Sequence, residues 1–223
     1  MNILAFDTSN EYCSLALSVG GDILEREVLA GQRHSELILP MIADVLSEGG
    51  ISQSQLDGIA FGSGPGSFTG LRIACGVAQG LALGMEIPVV GVGTLHALAE
   101  AMPGERIVAC LDARMGEIYH AAFERVDGKL AAVLAPGLYF PLDAPQLPGT
   151  NWVGCGSGFA AHGDALFQRY VGQIDAVDAS LRPHAREMAR FAIAEFGAGN
   201  GIDAALAAPL YIRNKVALKE SER

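Results

Sequence analysis

An α/β fold built from two related halves is predicted by three features of the sequence. The first is a strand, glycine turn and helix at its centre. The apolar run Gly58-Ile59-Ala60-Phe61 enters Gly62-Ser63-Gly64-Pro65-Gly66-Ser67, and an apolar, small-residue helix follows over roughly 71–83. The second is a pair of matching segments, Ile3-Leu4-Ala5-Phe6-Asp7 and Val108-Ala109-Cys110-Leu111-Asp112. Each runs four apolar residues into an aspartate, a polar turn and another strand. The third is a second strand that enters a glycine turn, Trp152-Val153-Gly154-Cys155-Gly156-Ser157-Gly158. Together these give an internal repeat with an offset of roughly 95–105 residues. Met102-Pro103-Gly104 divides the chain into subdomains 1–102 and 103–223.

In the first half, residues 3–6 read as a buried strand ending at Asp7-Thr8-Ser9-Asn10. Residues 12–19 alternate, with Cys13, Leu15, Leu17 and Val19 on one face and Ser14 and Ser18 on the other, so a half-buried strand is expected. Gly20-Gly21-Asp22 turns the chain into a third strand near 23–29. A helix is predicted over about 35–48. Leu39, Ile42, Ala43 and Leu46 form one face, and Leu37, Ile38, Met41 and Val45 widen the apolar arc, which predicts burial on more than one side. Pro40 falls near its first turns, and Gly49-Gly50 ends it.

The helix behind the central turn carries Gly76, Gly80 and Gly84 at i, i+4 and i+8, on one face. Each glycine costs about 1 kcal/mol relative to alanine and permits close approach by another helix; Gly84 can equally serve as the C-cap. Residues 87–92 read as a strand, and Thr94 as the cap of a short helix over 95–101.

In the second half, a strand at 107–111 ends at Asp112-Ala113-Arg114, a second covers 117–126, and Asp127-Gly128 leads into a third at 130–134. Residues 136–150 read as a Pro-rich loop, 183–196 as a helix stopped by Gly197, and 197–203 as a glycine loop. Pro209-Leu210-Tyr211-Ile212-Arg213 leads to a charged tail expected to fray.

The 223 residues are half hydrophobic and 18% charged, enough for a substantial core. A net charge of −10 lacks the basic face that grips nucleic acid, so any such contact is expected through a partner. Cys13, Cys75, Cys110 and Cys155 are scattered without a CxxC pair and read as buried free thiols in a reducing compartment. The N-terminus meets Asp7 at once, without a basic n-region, and is not expected to be a signal peptide. Residues 73–92 are apolar enough to test as a membrane span, but Gln79, Glu86 and Pro88 interrupt them. A cytoplasmic protein without membrane contact is expected.

The central turn matches neither GxxxxGK[ST] nor GxGxxG. Pro65 lacks the N–H a phosphate cradle would use, and Arg72 is the one cation nearby. The turn either cradles phosphate or serves to seat its helix; Phe68 is apolar cover and Thr69 a helix cap in both readings. Asp7 and Asp112 could hold magnesium-bound water beside phosphates, with Thr8 and Ser9 touching phosphate and Arg114 close by, or each could cap a turn. His34, His96, His120, His162 and His184 form no HxxxH or HxxH pair, so no metal site is predicted. There is no GxSxG, and Ser63 and Ser67 have no histidine near in sequence. Catalysis by this chain alone has little support in these residues.

Asp7-Thr8-Ser9, the run Gly64-Pro65-Gly66-Ser67-Phe68-Thr69-Gly70-Leu71-Arg72, Asp112-Ala113-Arg114 and Pro209-Leu210-Tyr211-Ile212-Arg213 together resemble the TsaB (YeaZ) family. These are the dimerisation subunits of the bacterial tRNA threonylcarbamoyladenosine machinery and are related to TsaD. The resemblance spans almost the whole chain and is most specific over 64–72. It implies an actin-like/Hsp70-like ATPase fold, two subdomains each with a mixed sheet flanked by helices, the last helix packing back on the first subdomain. It also implies a non-catalytic scaffold that binds and activates a TsaD-like catalytic subunit, works with a TsaE-like ATPase, and forms a homodimer when alone. The complex would transfer a threonylcarbamoyl group to N6 of adenosine 37 in tRNAs reading codons that begin with A. The tRNA would be met through the complex, which would use ATP-Mg, while this chain would need no cofactor.

TsaD-like proteins hold a metal with an HxxxH pair on a helix. The resemblance sets Thr94 and Leu98 at those positions, with His96 two residues out of register, and so implies a lost metal site. It implies a pairing surface of Leu37, Met41, Val45, Arg72, Ile73, Gly76, Val77 and Gly80. It leaves Asp7, Thr8, Ser9, Gly64, Gly66, Ser67, Thr69, Asp112 and Arg114 as vestigial nucleotide-type loops. The alternatives are a small-molecule kinase or ATPase of the same fold, and a metallopeptidase-like glycoprotease. The latter needs a metal or an activated nucleophile that the sequence does not offer.

Overall fold

The computed structural model describes residues 1–213 and contains two five-stranded sheets. The first holds β1 (Ile3–Asp7), β2 (Tyr12–Val19), β3 (Asp22–Leu29), β4 (Gly58–Gly64) and β5 (Val89–Gly93), in the order β3-β2-β1-β4-β5. The second holds β6 (Arg106–Arg114), β7 (Glu117–Val126), β8 (Lys129–Tyr139), β9 (Trp152–Cys155) and β10 (Ile174–Asp178), in the order β10-β9-β6-β7-β8. In each sheet the first three strands in sequence pair antiparallel, and the fourth and fifth add in parallel. The duplication legible in the two Asp-ended strands is therefore a duplication of topology, and the fold is of the actin-like/Hsp70-like class.

The described residues also form five α-helices: α1 (His34–Glu48), α2 (Phe68–Met85), α3 (Thr94–Ala101), α4 (Ser157–Arg169) and α5 (Ala185–Gly197). α1 and α2 cover one face of the first sheet, and α5 covers the other. α4 covers the outer face of the second sheet, α3 its inner face, and α3 touches α5 at the centre. The helix after each half's fifth strand thus packs on the other half's sheet. The strands of the two sheets come from either side of residues 102–103, but the packing crosses that point in both directions.

This exchange explains one departure from the sequence reading. β2 was expected half-buried, yet Ser14 and Ser18 are as buried as its leucines. α5 lies on that face, and Ser14 Oγ accepts from the Ala185 N–H at 3.1 Å, satisfying a helix-start donor. α1 departs the other way. Ile38, Met41, Ile42, Val45 and Leu46 form a single buried face, while Leu39 is 53% exposed and Ala43 faces solvent. Pro40 is the seventh helical residue, not one of the first turn, and sits on the exposed side.

Two elements have no counterpart in the sequence reading. α4 contains Gly158 and Gly163 and kinks at His162, where φ is −136°. β10 is a five-residue strand carrying two aspartates. The predicted 136–150 loop is shorter than expected, because β8 runs on to Tyr139. β8 is an edge strand with two irregularities of register, and an edge strand tolerates Pro136. The charged tail lies outside the described residues. α2 is long and apolar enough to reach across a bilayer, but it connects β4 to β5 within one hydrogen-bonded sheet and packs on that sheet.

Candidate functional site

β4 delivers the chain into the central turn, and α2 starts at Phe68. Ser67, with φ −56° and ψ 120°, is the N-cap, its Oγ accepting from the Gly70 N–H at 3.3 Å. Thr69, expected to cap, is instead the second helical residue and is exposed. The helix ends on Glu86 in the left-handed region, so Gly84 is not the C-cap.

The turn is closed by the chain's own β1–β2 turn. The Ser67 N–H donates to Ser9 O at 2.8 Å, and Thr8 Oγ1 donates to Gly70 O at 2.7 Å. A Cβ on Gly66 would come within 2.7 Å of Ser9, and one on Gly70 would collide with Thr8 O. From the far side, Thr94 Oγ1 donates to Pro65 O. Thr94 therefore does not cap α3, whose N-cap is Gly93. Two of the turn's backbone donors, the Ser67 and Gly70 N–H groups, are taken up within the chain, Pro65 has none, and Thr8 and Ser9 lie against Gly66 and Gly70.

Asp7 is fully buried and caps the same β1–β2 turn. Its Oδ2 accepts from the Ser9 N–H at 3.1 Å, Ser9 Oγ at 2.8 Å and Asn10 Nδ2 at 3.2 Å. Among the described residues its Oδ1 has no hydrogen-bond partner; it faces Gly62, where any Cβ would collide with it. Burial raises the carboxyl pKa to about 6, against the lowering effect of the Ser9 bonds. Asp112 holds the equivalent place at the end of β6. Its Oδ1 accepts from the Arg114 N–H at 2.8 Å, its Oδ2 pairs with the Arg114 guanidinium at 3.0 Å, and His162 Nε2 lies 3.6 Å away. Both aspartates are turn caps.

Of the positions compared with a metal pair, Thr94 is bound to Pro65 and Leu98 is buried in apolar core. His96 is held between Phe123 and Phe191, with ring centroids at 5.5 and 4.8 Å, and burial lowers its pKa. Among the described residues no three His, Cys, Asp or Glu side chains gather as metal ligands. The four cysteines are free and buried, and burial pushes the Cys13 thiol up to about 12, far from a reactive thiolate.

The anticipated pairing surface divides. Val45 and Met41 are buried in the core between α1 and the first sheet, so neither can meet a partner. Leu37, Ile73 and Val77 are half-buried and lean on the same core. Arg72, Gly76 and Gly80 are exposed, and a Cβ on Gly76, Gly80 or Gly84 would meet none of the described residues within 4 Å. Leu83, three residues beyond Gly80 on α2, is 54% exposed and was not assigned to this surface; Leu39 on α1 is 53% exposed. At the start of α2 the Arg72 guanidinium lies 3.9 Å over the Phe68 ring, and its Nε donates to Tyr211 Oη at 3.0 Å. Tyr211 is thus a contact of this surface that the sequence reading left unassigned.

Residues 27–148 match the family model of TsaD, tRNA N6-adenosine threonylcarbamoyltransferase. The chain is 38% identical over 230 residues to the tRNA threonylcarbamoyladenosine biosynthesis protein TsaB of Escherichia coli, covering 99% of this chain and 98% of that one. Against TsaB of Haemophilus influenzae the identity is 36% over 233 residues, covering 99% and 97%. The solved structure of YeaZ from Pseudomonas aeruginosa superposes with a TM-score of 0.87 at 36% identity, covering 94% of this chain and 99% of that one.

Proposed function

The chain belongs to the TsaB family of tRNA threonylcarbamoyladenosine biosynthesis proteins, and we propose that it serves that pathway as a non-catalytic scaffold docking a TsaD-like subunit on the outer face of α2. The observation that carries this reading is the open glycine face. Gly76 and Gly80 lower the stability of α2 by about 1 kcal/mol each relative to alanine, and nothing in the described chain approaches them in return. Such a face lets the backbone of a partner helix come close, and Leu83, three residues beyond Gly80 on the same helix, supplies an apolar rim. Without TsaD the same face pairs two copies of the chain.

The closed turn supports the non-catalytic part. Threonylcarbamoyl transfer to N6 of adenosine 37, in tRNAs reading codons that begin with A, then belongs to the TsaD-like partner. A TsaE-like ATPase joins the complex, and ATP-Mg serves the complex without a nucleotide site on this chain. With a net charge of −10, this subunit meets tRNA through its partners, in the cytoplasm.

Reconstitution tests the reading. Purified TsaD-like and TsaE-like subunits supplied with threonylcarbamoyl-adenylate and tRNA should form the modified adenosine only when this chain is added. The chain alone should show neither transfer nor ATP turnover. ATP hydrolysis by the isolated chain that Asp7→Ala abolishes would replace the scaffold with a kinase or ATPase.

A further inference from the structure

Residues 204–213 start in the core of one half and end on the other, and the handover takes two residues. Ala204 and Ala207 are buried with α2 and the first sheet, and Gln79 Nε2 on α2 donates to Ala207 O at 3.0 Å. The Leu210 N–H donates to Ser63 O at the end of β4 at 2.7 Å. The Leu210 carbonyl lies so close to Gly64, whose φ is +119°, that a Cβ there would come within 2.7 Å of it. The Tyr211 ring packs on Phe68 with centroids 5.3 Å apart and holds Arg72 through its hydroxyl.

From the next residue the segment belongs to the second sheet. Ile212 packs against the cluster of Leu95, Leu98, Ile107 and Leu111. Arg213 reaches into the β6–β7 turn, donating to Ala113 O at 3.0 Å and Arg114 O at 3.4 Å, and pairs with Glu117 at 2.7 Å. Its side chain is only 12% exposed. Arg114 and Met115 in that turn have φ of 61° and 57°, a conformation costly for residues with a Cβ, and the Arg213 guanidinium binds the carbonyls that this conformation presents.

We infer that this segment is a latch joining the glycine turn of the first half to the β6–β7 turn of the second, with Arg213 as the positioning residue that fastens it. Closed, it fixes the angle between the two sheets and holds the first turn of α2, and with it Arg72, in one orientation. A mostly shielded guanidinium with three acceptors is a directional fastener, and Tyr211 transmits its placement to Arg72 through one hydrogen bond and one aromatic contact. The mechanical link stands on these contacts alone. Its consequence for docking rests on the role proposed for α2.

Hydrogen exchange on the full chain tests the latch. In Arg213→Ala, amides at 113–117 and at 62–70 should exchange about tenfold faster than in the unaltered chain, with β1, β2 and residues 106–112 of β6 unchanged. Arg213→Lys, which keeps the charge and loses the fork, should fall between the two. Faster exchange confined to 113–117 would overturn the latch. Should Arg213→Ala lose its cooperative melt, Glu117→Gln carries the same test, and Tyr211→Phe should loosen only the first turn of α2. The second readout is affinity for a TsaD-like subunit. A weaker complex with Arg213→Ala supports the coupling to docking. Full affinity in a variant whose two turns both exchange faster would remove that coupling. If the unaltered chain itself does not bind, the docking reading has failed and the exchange result still decides the latch.

Discussion

Asp7 places a carboxylate in apolar surroundings with three donors on one oxygen and none on the other. In the unfolded chain it titrates near 3.8, and in the fold at about 6. The folded state therefore holds the proton more tightly. Asp7 adds stability that is complete below the unfolded value and is lost as pH rises through the folded one. The shift corresponds to on the order of 3 kcal/mol. Asp7→Asn is neutral throughout and removes this dependence. Its stability relative to the unaltered chain should therefore climb between about pH 4 and about pH 7 and then level off, read from denaturant melts across that range. A difference that stays flat with pH would show that the carboxyl is not desolvated. The end of β1 was legible from four apolar residues before an aspartate. What the aspartate does there was not, because its neighbours Gly62 and Met188 lie 55 and 181 residues away in sequence.

α2 carries glycines of two kinds, and their substitutions should part company. A Cβ on Gly70 would collide with the Thr8 backbone, whereas one on Gly76 or Gly80 meets open space. Gly70→Ala should cost several kcal/mol, of the order seen for overpacking against unyielding backbone, roughly 3 kcal/mol. Gly76→Ala and Gly80→Ala should each stabilise the isolated chain by up to about 1 kcal/mol. Thermal melts of the three variants check both signs. The spacing of the stripe was readable because i, i+4 and i+8 share a helix face whatever that face meets. α1 was harder, since eight apolar residues in fifteen leave the core side ambiguous, and Leu39 and Met41 exchanged the roles expected of them. α4 escaped notice because its glycines and its kink at His162 dilute helical periodicity, although its start at Gly156-Ser157-Gly158 had been noted as a turn. β2 was misjudged for a different reason. Alternation reports one covering layer, and the second layer on β2 comes from α5, far along the chain.

At the scale of the molecule, one strand pattern is used twice, and each half lends its last helix to the other sheet. The repeat was legible because both copies begin with the same apolar-Asp signature and both contain a strand entering a glycine turn. The exchange of α3 and α5 was beyond local pattern, since it depends on which surfaces remain uncovered once both sheets exist. That architecture brings the central turn, the β1–β2 turn and the end of β6 near the junction of the halves. There Thr8 and Ser9 pack on the glycine turn, and Tyr211 and Arg213 contact residues on either side of the junction. A titration of the isolated chain with Mg-ATP should accordingly give no binding heat at millimolar nucleotide. Saturable heat would mean that the β1–β2 turn lifts off the glycine turn in solution.

Docking through the open face of α2 is tested most directly by the affinity of the chain for a TsaD-like subunit with and without a bulky residue on that face. Gly80→Leu places a side chain where nothing among the described residues resists it, so its melt should match or exceed that of the unaltered chain. Its complex should weaken by about a hundredfold, close to 3 kcal/mol. A Gly80→Leu chain that melts normally and binds the TsaD-like subunit at full strength would contradict the account.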